Sequence, residues 1–287
     1  MFGFQRVGDL AWAAGDLRVR GFLMGATAGR TTLAGEGLQH DDGQSHLFSS
    51  VIPNCISYDP AYAYELAVII QYGMVRMYEN QEDVYYYITV MNENYIQPAM
   101  PKGAEEGIIK GMYQLRKSKK ENKVHVQLMG SGTILREVER AGEILEKDFG
   151  ITSDVWSVTS FTELSRDCSD IARSNALNPK GKAKKNYVET CLGNVKGPVI
   201  ASTDYVRLVA DQIRAYVPAP YYVLGTDGFG KSDTRKALRH HFEVDAKMVA
   251  YTALRALADS GDYPQDKLAL AMKQLGIDSS KSNPATS

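Results

Sequence analysis

Short apolar runs alternate with longer amphipathic segments along the C-terminal two thirds of the chain. The apolar runs predict strands at residues 124–129, 154–159, 198–202 and 222–224. Helical periodicity follows each strand and continues to the end of the fold, which predicts helices at 134–149, 162–173, 206–216, 234–241, 246–259 and 264–275. Strands that alternate with helices of this size are typical of a parallel sheet covered on both faces. The pattern therefore predicts an α/β fold with a mostly parallel sheet.

The first hundred residues have a less regular pattern. Asp59 is followed by Pro60, a pair that predicts a helix start, because a carboxylate caps free amide groups and proline suits the first helical position. Apolar periodicity then continues to about Tyr78. Residues 84–91 are rich in aromatic and β-branched side chains and predict a strand.

A proline-containing linker separates these two patterns. Pro98 and Pro101 interrupt the chain just after the predicted strand, and no periodicity spans them. We therefore predict two domains, at residues 1–100 and 101–287. The polar tail at 279–287 is predicted to be disordered.

One segment without helical or strand periodicity carries the best candidate chemistry. Residues 29–46 combine glycines, histidines and carboxylates with almost no apolar content, which predicts a long functional loop rather than a solvated one. Glu36 and His40 are a pair that exchanges protons near neutral pH, and the surrounding glycines let the backbone turn both towards one cavity. We predict that they form a catalytic pair.

Charge and composition narrow the possible functions. The 33 basic and 34 acidic residues give a formal charge of −1, which is not typical of a nucleic-acid-binding surface. Cys55, Cys168 and Cys191 lie far apart and lack the spacing of disulfides or metal ligands. No apolar stretch is long enough to span a bilayer, and no signal peptide is evident. These features predict a cytoplasmic protein that binds neither membranes nor nucleic acid.

The segment Gly225-Thr-Asp-Gly-Phe-Gly-Lys-Ser232 matches the pattern of a phosphate-binding loop, between a strand and a helix. No apolar strand ending in aspartate follows it, as a nucleotide-hydrolysing fold requires. We therefore favour a strand-to-helix turn whose amides bind an anion weakly at most.

Two other groups of residues are also interpreted as structural. Adjacent His240 and His241 cannot easily ligate one metal ion, and residues 92–94 end a strand.

Longer motifs carry a family resemblance. They are Gly35-Glu-Gly-Leu-Gln-His-Asp-Asp-Gly43 and the segments 52–65, 84–89, 92–95, 157–164, 201–205, 224–230 and 238–245. Together they resemble the C-terminal third of the homodimeric bacterial pyruvate dehydrogenase, the thiamine-diphosphate-dependent decarboxylating component of the pyruvate dehydrogenase complex. The resemblance implies the C-terminal part of a pyrimidine-binding (transketolase-like middle) domain, followed by a transketolase-type C-terminal α/β domain.

The resemblance also implies roles for individual residues. His40 corresponds to a histidine beside the substrate-derived hydroxyl and carboxylate, with Glu36 close by. Phe2 corresponds to an aromatic residue that touches the aminopyrimidine of thiamine diphosphate, and Arg6 lies near the same cavity. Gln44 stands where a histidine is usual in this family, which removes a titratable group but leaves the Glu36–His40 pair.

The expected function is correspondingly that of a fragment. The Gly-Asp-Gly motif followed by Asn-Asn, which binds Mg²⁺ and the diphosphate, does not occur in this sequence. The implied partners are the N-terminal portion of the same enzyme, a second copy in a homodimer, the dihydrolipoyl acetyltransferase core, and pyruvate. The implied activity is pyruvate decarboxylation with acetyl transfer to lipoyl groups, and we expect the chain alone to be inactive. The alternative is a non-catalytic transketolase-type module that dimerises or binds an effector.

Overall fold

The structure, a computed structural model, describes residues 3–120 and 122–287. Within that part of the chain the strands form two sheets, one of three strands and one of five. All neighbouring strands are parallel except for one antiparallel pair at an edge of the larger sheet. The prediction of a mostly parallel α/β fold is confirmed.

The smaller sheet belongs to the N-terminal part. Its strands, in the order β1-β3-β2, are β1 (Phe22–Gly25), β2 (Cys55–Tyr58) and β3 (Tyr85–Thr89). The helices of this part are α1 (Gly3–Asp16), α2 (Ser45–Ser50) and α3 (Ala63–Met74), and a π-helical turn at Val75–Glu79 extends α3. Because β1 pairs only with β3, it forms one edge of the sheet.

Successive tyrosines of β3 pack on opposite faces of this sheet, as the period of a strand requires. Tyr86 belongs to the cluster that contains Ile69 of α3. Tyr85 and Tyr87 belong to a second cluster, which contains Phe4 of α1. The aromatic run is therefore core packing.

Asp59 does not cap α3, so that prediction was wrong. The helix begins three residues later than expected, with Tyr62 at the N-cap, and the carboxylate of Glu65 accepts hydrogen bonds from the amides of Ala61 (2.5 Å) and Tyr62 (3.1 Å). Asp59 instead extends β2, and its amide donates to the carbonyl of Thr159 in the other part of the chain (2.7 Å). The contact of Asp59 with the other part of the chain therefore replaces the helix-capping role that the local sequence predicts.

The larger sheet has the order β4-β6-β5-β7-β8. Its strands are β4 (Met112–Arg116), β5 (His125–Gly130), β6 (Thr152–Val158), β7 (Val199–Ser202) and β8 (Tyr221–Leu224), and β4 is the antiparallel one. The helices of this part are α4 (Glu105–Lys110), α5 (Leu135–Phe149), α6 (Phe161–Leu177), α7 (Tyr187–Leu192), α8 (Leu208–Asp211), α9 (Arg235–His241), α10 (Ala246–Asp259) and α11 (Leu268–Leu275).

Both faces of this sheet are covered, as predicted. Leu128 and other side chains of one face pack against α5, α10 and α11. Met129, the next residue along β5, packs with α6, α7 and α8 on the other face. The carboxyl ends of the parallel strands lead into the turns that face the N-terminal part, including the residues after β7 and β8 described below.

The helix predicted at 206–216 is shorter than expected. It consists of the four-residue α8 and a separate 3₁₀ turn at Arg214–Tyr216. The hydroxyl of Tyr221 donates to the carbonyl of Ala210 (3.0 Å), and the side-chain amide of Gln212 donates to the carbonyl of Val209 (2.9 Å). Side-chain groups thus donate hydrogen bonds to carbonyls that would accept from backbone amides in a continuous helix.

The C-terminal tail also differs from the prediction of disorder. Pro284 is buried, and its carbonyl lies against Gly228 in the turn after β8. The tail therefore packs on the Gly225–Ser232 segment rather than extending freely.

Candidate functional site

A loop that we call the site loop, residues 26–44, connects β1 to α2. Its regular structure is limited to one 3₁₀ turn, Leu38–His40, which agrees with the predicted lack of periodicity. Residues 34–39 are exposed, whereas residues 28–33 and 41–43 are buried. The loop therefore has fixed ends and a solvent-facing tip.

The predicted catalytic pair lies at this tip. His40 Nδ1 is 3.3 Å from Glu36 Oε2, and the two side chains are 32% and 50% exposed. The turn that brings them together is closed by the hydrogen bond from the His40 amide to the Gly37 carbonyl (2.9 Å). Gly35 adopts a positive φ of 75° just before the pair, a conformation that favours glycine. The pairing is thus present, and its catalytic role stays a prediction.

Arg30 anchors the first end of the site loop. Its side chain is buried, and Nη1 donates to the carbonyls of Thr226 (2.8 Å) and Gly228 in the turn after β8. Burial lowers the pKa of this guanidinium, while nearby carboxylates such as Asp41 oppose the shift. A Cβ at Gly43 would lie 2.2 Å from Arg30 Nε. The second end of the loop therefore needs glycine where its backbone runs beside Arg30.

Asp204, which follows β7, holds the next residues of the loop. Its Oδ2 accepts from the Thr31 amide (3.2 Å), and its backbone carbonyl accepts from the Arg30 amide (3.3 Å). The carboxyl group is fully buried, and burial raises its pKa to about 7. Its Oδ1 has no hydrogen-bond partner among the described residues.

The segment that leads into α9 supplies a third set of anchors. Arg235 Nε donates to the Thr32 carbonyl (2.6 Å), and Arg239 Nε donates to the Thr31 hydroxyl (3.3 Å). The Gly35 amide donates to the Asp233 carbonyl (3.1 Å). The C-terminal part of the chain therefore determines the shape of a loop that belongs to the N-terminal part.

Arg239 also joins the two parts through a buried ion-pair network. It pairs with Glu93, which follows β3, and with Glu137 of α5 (3.4 Å). Arg136 pairs with Glu93 from the other side (2.6 Å). Although burial opposes it, the hydrogen bonds from these two arginines lower the pKa of Glu93 to about 2. The acidic residue after the β3 strand thus has the structural role that we favoured.

The second end of the site loop enters α2 through Asp42, whose Oδ1 accepts from the amides of Ser45 (3.0 Å) and Gln44 (3.2 Å). Burial raises the pKa of Asp42, and it raises that of the neighbouring Asp41 to about 6. His46, on the first turn of α2, is also buried, and burial lowers its pKa to about 3. Its ring is therefore neutral and structural.

A chain of polar contacts continues from His46 into the domain junction. His46 Nε2 lies 3.1 Å from the Thr89 hydroxyl, which in turn donates to Asp59 Oδ1 (2.7 Å). Asp59 is fully buried, and burial raises its pKa to about 7. The ring of His46 also packs edge-on against Tyr205, with ring centroids 4.6 Å apart.

The two residues predicted to contact the cofactor lie at the start of the chain. Phe2 falls outside the described residues. Arg6 lies on α1 with its side chain exposed. The nearby Phe4 is buried and packs edge-on against Tyr87 of β3, with ring centroids 4.6 Å apart. Their cofactor-binding role stays a prediction.

The Gly225–Ser232 segment does not have the geometry of a phosphate-binding loop. In such a loop the lysine and serine open the helix, whereas here α9 starts at Arg235, capped by the hydroxyl of Thr234. A Cβ at Gly230 would lie 2.5 Å from a carboxylate oxygen of Asp41, so an acidic side chain sits against the turn. The segment supports the site loop instead.

No group of three or more His, Cys, Asp or Glu side chains among residues 3–120 and 122–287 is arranged to hold a metal ion. His240 is exposed and lies 3.2 Å from Asp245, whereas His241 is half-buried and packs on the Phe242 ring. The two rings therefore lie in different environments. No helix of the described part is long and apolar enough to cross a membrane.

The residues that hold the site loop were not predicted. The contacts that Arg30, Asp204 and Arg239 make in holding the loop join residues 173 to 208 positions apart, so no local pattern indicates them. The available signal was that Arg30 lies within the candidate loop and that Asp204 lies within one of the longer motifs.

Comparison with known proteins decides the family. The family model for the pyruvate dehydrogenase E1 component middle domain matches residues 1–98, and that for the transketolase-like C-terminal domain matches residues 111–245. The pyruvate dehydrogenase E1 component of Pseudomonas aeruginosa is 65% identical over 285 residues, which is 99% of this chain and 32% of that protein. The Escherichia coli K12 protein of the same name is 59% identical over 286 residues, with the same coverage. The chain belongs to this family. It corresponds to the C-terminal third of the E1 component and spans about a third of the length of these relatives.

Solved structures share the fold at low sequence identity. Transketolase from Campylobacter jejuni aligns with a TM-score of 0.66 at 18% identity, over 89% of this chain and 34% of that one. A split gene transketolase, described as an inactive beta4 tetramer, aligns with a TM-score of 0.54 at 19% identity, over 83% of this chain and 66% of that one. The transketolase-like fold expected from the motifs is confirmed.

Proposed function

We propose that the chain acts as the C-terminal portion of a pyruvate dehydrogenase E1 enzyme. In this proposal the assembled enzyme decarboxylates pyruvate with thiamine diphosphate and Mg²⁺ and passes the acetyl unit to lipoyl groups of an acetyltransferase core, in the cytoplasm. The observation that carries the proposal is the 65% identity to the Pseudomonas aeruginosa E1 component across 99% of the chain.

The contribution of this chain is the site loop. Glu36 and His40 form a hydrogen-bonded pair at an exposed tip whose ends are held rigidly. Such a pair suits an α-keto acid, because it offers a donor to the carboxylate and a group that exchanges a proton with the substrate-derived hydroxyl. A fixed loop also reduces the reorganisation that substrate binding requires.

The described residues do not fit the complete cofactor. They contain no carboxylate and histidine group able to hold Mg²⁺, and the sequence lacks the motif that binds the diphosphate. We therefore assign diphosphate and metal binding to the portion that corresponds to the other two thirds of the relatives, and we derive no step of the reaction through the cofactor.

A second candidate is a non-catalytic module that assembles with copies of itself. The exposed side chains of Leu17 (77%), Leu23 (38%) and Met24 (41%) beside the β1 edge favour it, since such surfaces promote association. The split gene transketolase of similar fold, which is named as an inactive tetramer, illustrates this outcome for that protein.

A chimera separates the two candidates. This chain replaces the C-terminal third of the Pseudomonas aeruginosa E1 component, and pyruvate-dependent carbon dioxide release is measured beside the parent enzyme and the isolated chain. We expect activity in the chimera and none in the isolated chain. A chimera that is folded and dimeric, binds the cofactor and yet releases no carbon dioxide would contradict the catalytic proposal.

A further inference from the structure

A cavity of about 510 Å³, which we call the junction cavity, lies where the two parts of the chain meet. Its walls come from α5, α9, the start of α10 and the segment that follows β3. Its volume falls in the range of small-molecule sites. The Glu36–His40 pair is not part of its lining, so it is distinct from the tip of the site loop.

The carboxylates that line the junction cavity already have partners. Glu93 is held by two arginines, as described above. Glu137 pairs with Arg140 (3.0 Å) and accepts from the Ala246 amide (3.1 Å). Asp245 caps α10 through its side chain. Glu93 and Glu137 are therefore paired with arginines, whereas Asp245 only accepts hydrogen bonds.

Three cations of the lining are not neutralised in this way. Among the described residues, no carboxylate forms an ion pair with Arg235, Lys236 or Lys247. Arg235 uses Nε for the neutral carbonyl of Thr32, which leaves its two terminal nitrogens for other acceptors. The lining holds five arginine and lysine side chains and three carboxylates, so the cavity carries an excess of positive charge.

The lining of the cavity also offers apolar surface. Ile144 and Ala246 line it, together with the methylene stems of the long basic side chains. A guanidinium fork and two ammonium groups suit the oxygens of a phosphate dianion. An apolar wall suits an organic group attached to that phosphate.

We propose that the junction cavity binds a small organic phosphate, with the phosphate on Arg235, Lys236 and Lys247 and the organic group against Ile144. This site is independent of the proposed catalytic function. It is coupled to the site loop, because the guanidinium that contacts the phosphate also holds the Thr32 carbonyl. A bound ligand then fixes α9 and, through it, the first residues of the loop.

The test is calorimetric titration of the full 287-residue chain with phenyl phosphate at constant ionic strength. Inorganic phosphate and phenol, which correspond to the two halves of phenyl phosphate, are titrated separately as controls. The test variant carries Lys236→Gln and Lys247→Gln, and the control carries Lys180→Gln and Lys182→Gln on an exposed segment elsewhere. We expect phenyl phosphate to bind with one site per chain, more tightly than either half, and about tenfold more weakly in the test variant. The control keeps the affinity of the parent chain.

Hydrogen exchange supplies a second readout that does not depend on affinity. Phenyl phosphate should slow amide exchange in residues 30–36 of the parent chain but not in Arg235→Lys, which keeps the charge and removes the contact with Thr32. Melting temperatures of all variants verify folding. Absence of saturable binding to folded chain, or equal weakening in test and control variants, would overturn the proposal. Either result would leave the activity of the chimera unaffected, so the two proposals fail separately.

Discussion

Two carboxyl groups at the domain junction, Asp59 and Asp204, are buried completely and keep unusually high pKa values of about 7. Burial disfavours the charged form, and the few hydrogen bonds that each group accepts do not compensate. Below pH 7 these groups therefore carry a proton in the native state. Burial has the opposite effect on the pKa of the nearby His46, which it lowers, so that this ring stays neutral.

The first prediction concerns the pH dependence that Asp204 introduces. Its native pKa of about 7 exceeds the ordinary value of 3.8, so the folded chain holds a proton that the unfolded chain releases between about pH 4 and 7. The contribution of this group to stability falls as the pH rises through that range, by at most about 4 kcal/mol. We expect Asp204→Asn to raise the melting temperature, relative to that of the parent chain, more at pH 8 than at pH 5. Asp148→Asn, at an exposed position, should show no such pH-dependent difference.

The second prediction concerns His40. In the active chimera, His40→Ala should lower turnover with pyruvate about 10²-fold, since removal of one contact to a developing charge costs about 3 kcal/mol. Cofactor affinity should change little, because the histidine is paired with Glu36 on the site loop. Steady-state rates and cofactor titrations measure both effects, with His240→Ala at an exposed site as the control. An unchanged turnover number would reject the role of His40.

At this scale, sequence reasoning identified the Glu36–His40 pair because a spacing of four across glycines is a local property. It misassigned Asp59 because Asp-Pro is a strong local signal, whereas its actual partners, Thr89 and the Thr159 carbonyl, lie far away in sequence. It also overlooked Arg30, because the burial of an arginine depends on carbonyls almost two hundred positions later.

Among the elements of the fold, the site loop behaves as a part of both domains. Its ends are held by the turn after β8, by Asp204 and by α9, while its tip stays exposed. The elements that sequence periodicity located best are β5 to β8 and α5, α9 and α10, which are buried on a regular face. The elements β1, β2, β4 and α4 were not predicted. Four to six residues show little periodicity of their own, and these elements, unlike the equally short β7 and β8, lie outside the regular strand–helix alternation of residues 124–275. Glycines at positions 8 and 15 hid α1, since glycine lowers helix propensity.

The third prediction tests the loop anchor with a pair of glycine variants. A Cβ at Gly43 meets the Arg30 guanidinium and displaces it from the carbonyls of Thr226 and Gly228, so Gly43→Ala should lower the free energy of unfolding by roughly 2 kcal/mol. Gly8→Ala on α1 is the matched control. Among the described residues, and apart from its chain neighbours and the backbone of its own helix, no atom lies within 4 Å of the added Cβ, and alanine should stabilise the helix by up to about 1 kcal/mol. Urea unfolding measures both, and equal effects would contradict the anchoring role of Arg30.

Across the whole molecule, the two sheets differ in how well they are enclosed. The five-stranded sheet is covered on both faces by helices. The three-stranded sheet leaves the β1 edge unpaired within the described residues, and Leu17, Leu23 and Met24 are exposed nearby. Exposed apolar surface beside a free edge favours association with another chain or segment.

The fourth prediction follows from this difference. Limited proteolysis of the isolated chain should remove the N-terminal portion first and leave a resistant core of residues from about 103 onward, because local opening is easiest where fewer contacts enclose the backbone. Mass spectrometry of the fragments locates the cleavage sites. Equal resistance of both portions in a monodisperse monomer would show that the smaller sheet is complete by itself.

The fifth prediction concerns the cofactor. The isolated chain should not bind thiamine diphosphate tightly in the presence of Mg²⁺, since the diphosphate-binding motif is absent from its sequence. Calorimetric titration measures this, with the chimera as the positive control. Magnesium-dependent binding by the isolated chain at micromolar concentration or below would contradict our assignment of the metal site to another portion.

The anchors of the site loop also set the order in which the protein matures during translation. The contacts of Arg30, Thr31 and Thr32 join residues 196 to 208 positions apart. A ribosome that adds about 5 to 20 residues per second needs roughly 10 to 40 s to cover that distance. For most of this interval the loop lies outside the ribosome without these contacts. The site loop therefore gains these contacts only when α9 has been made, so that a prematurely terminated product retains Glu36 and His40 without the contacts that hold the loop.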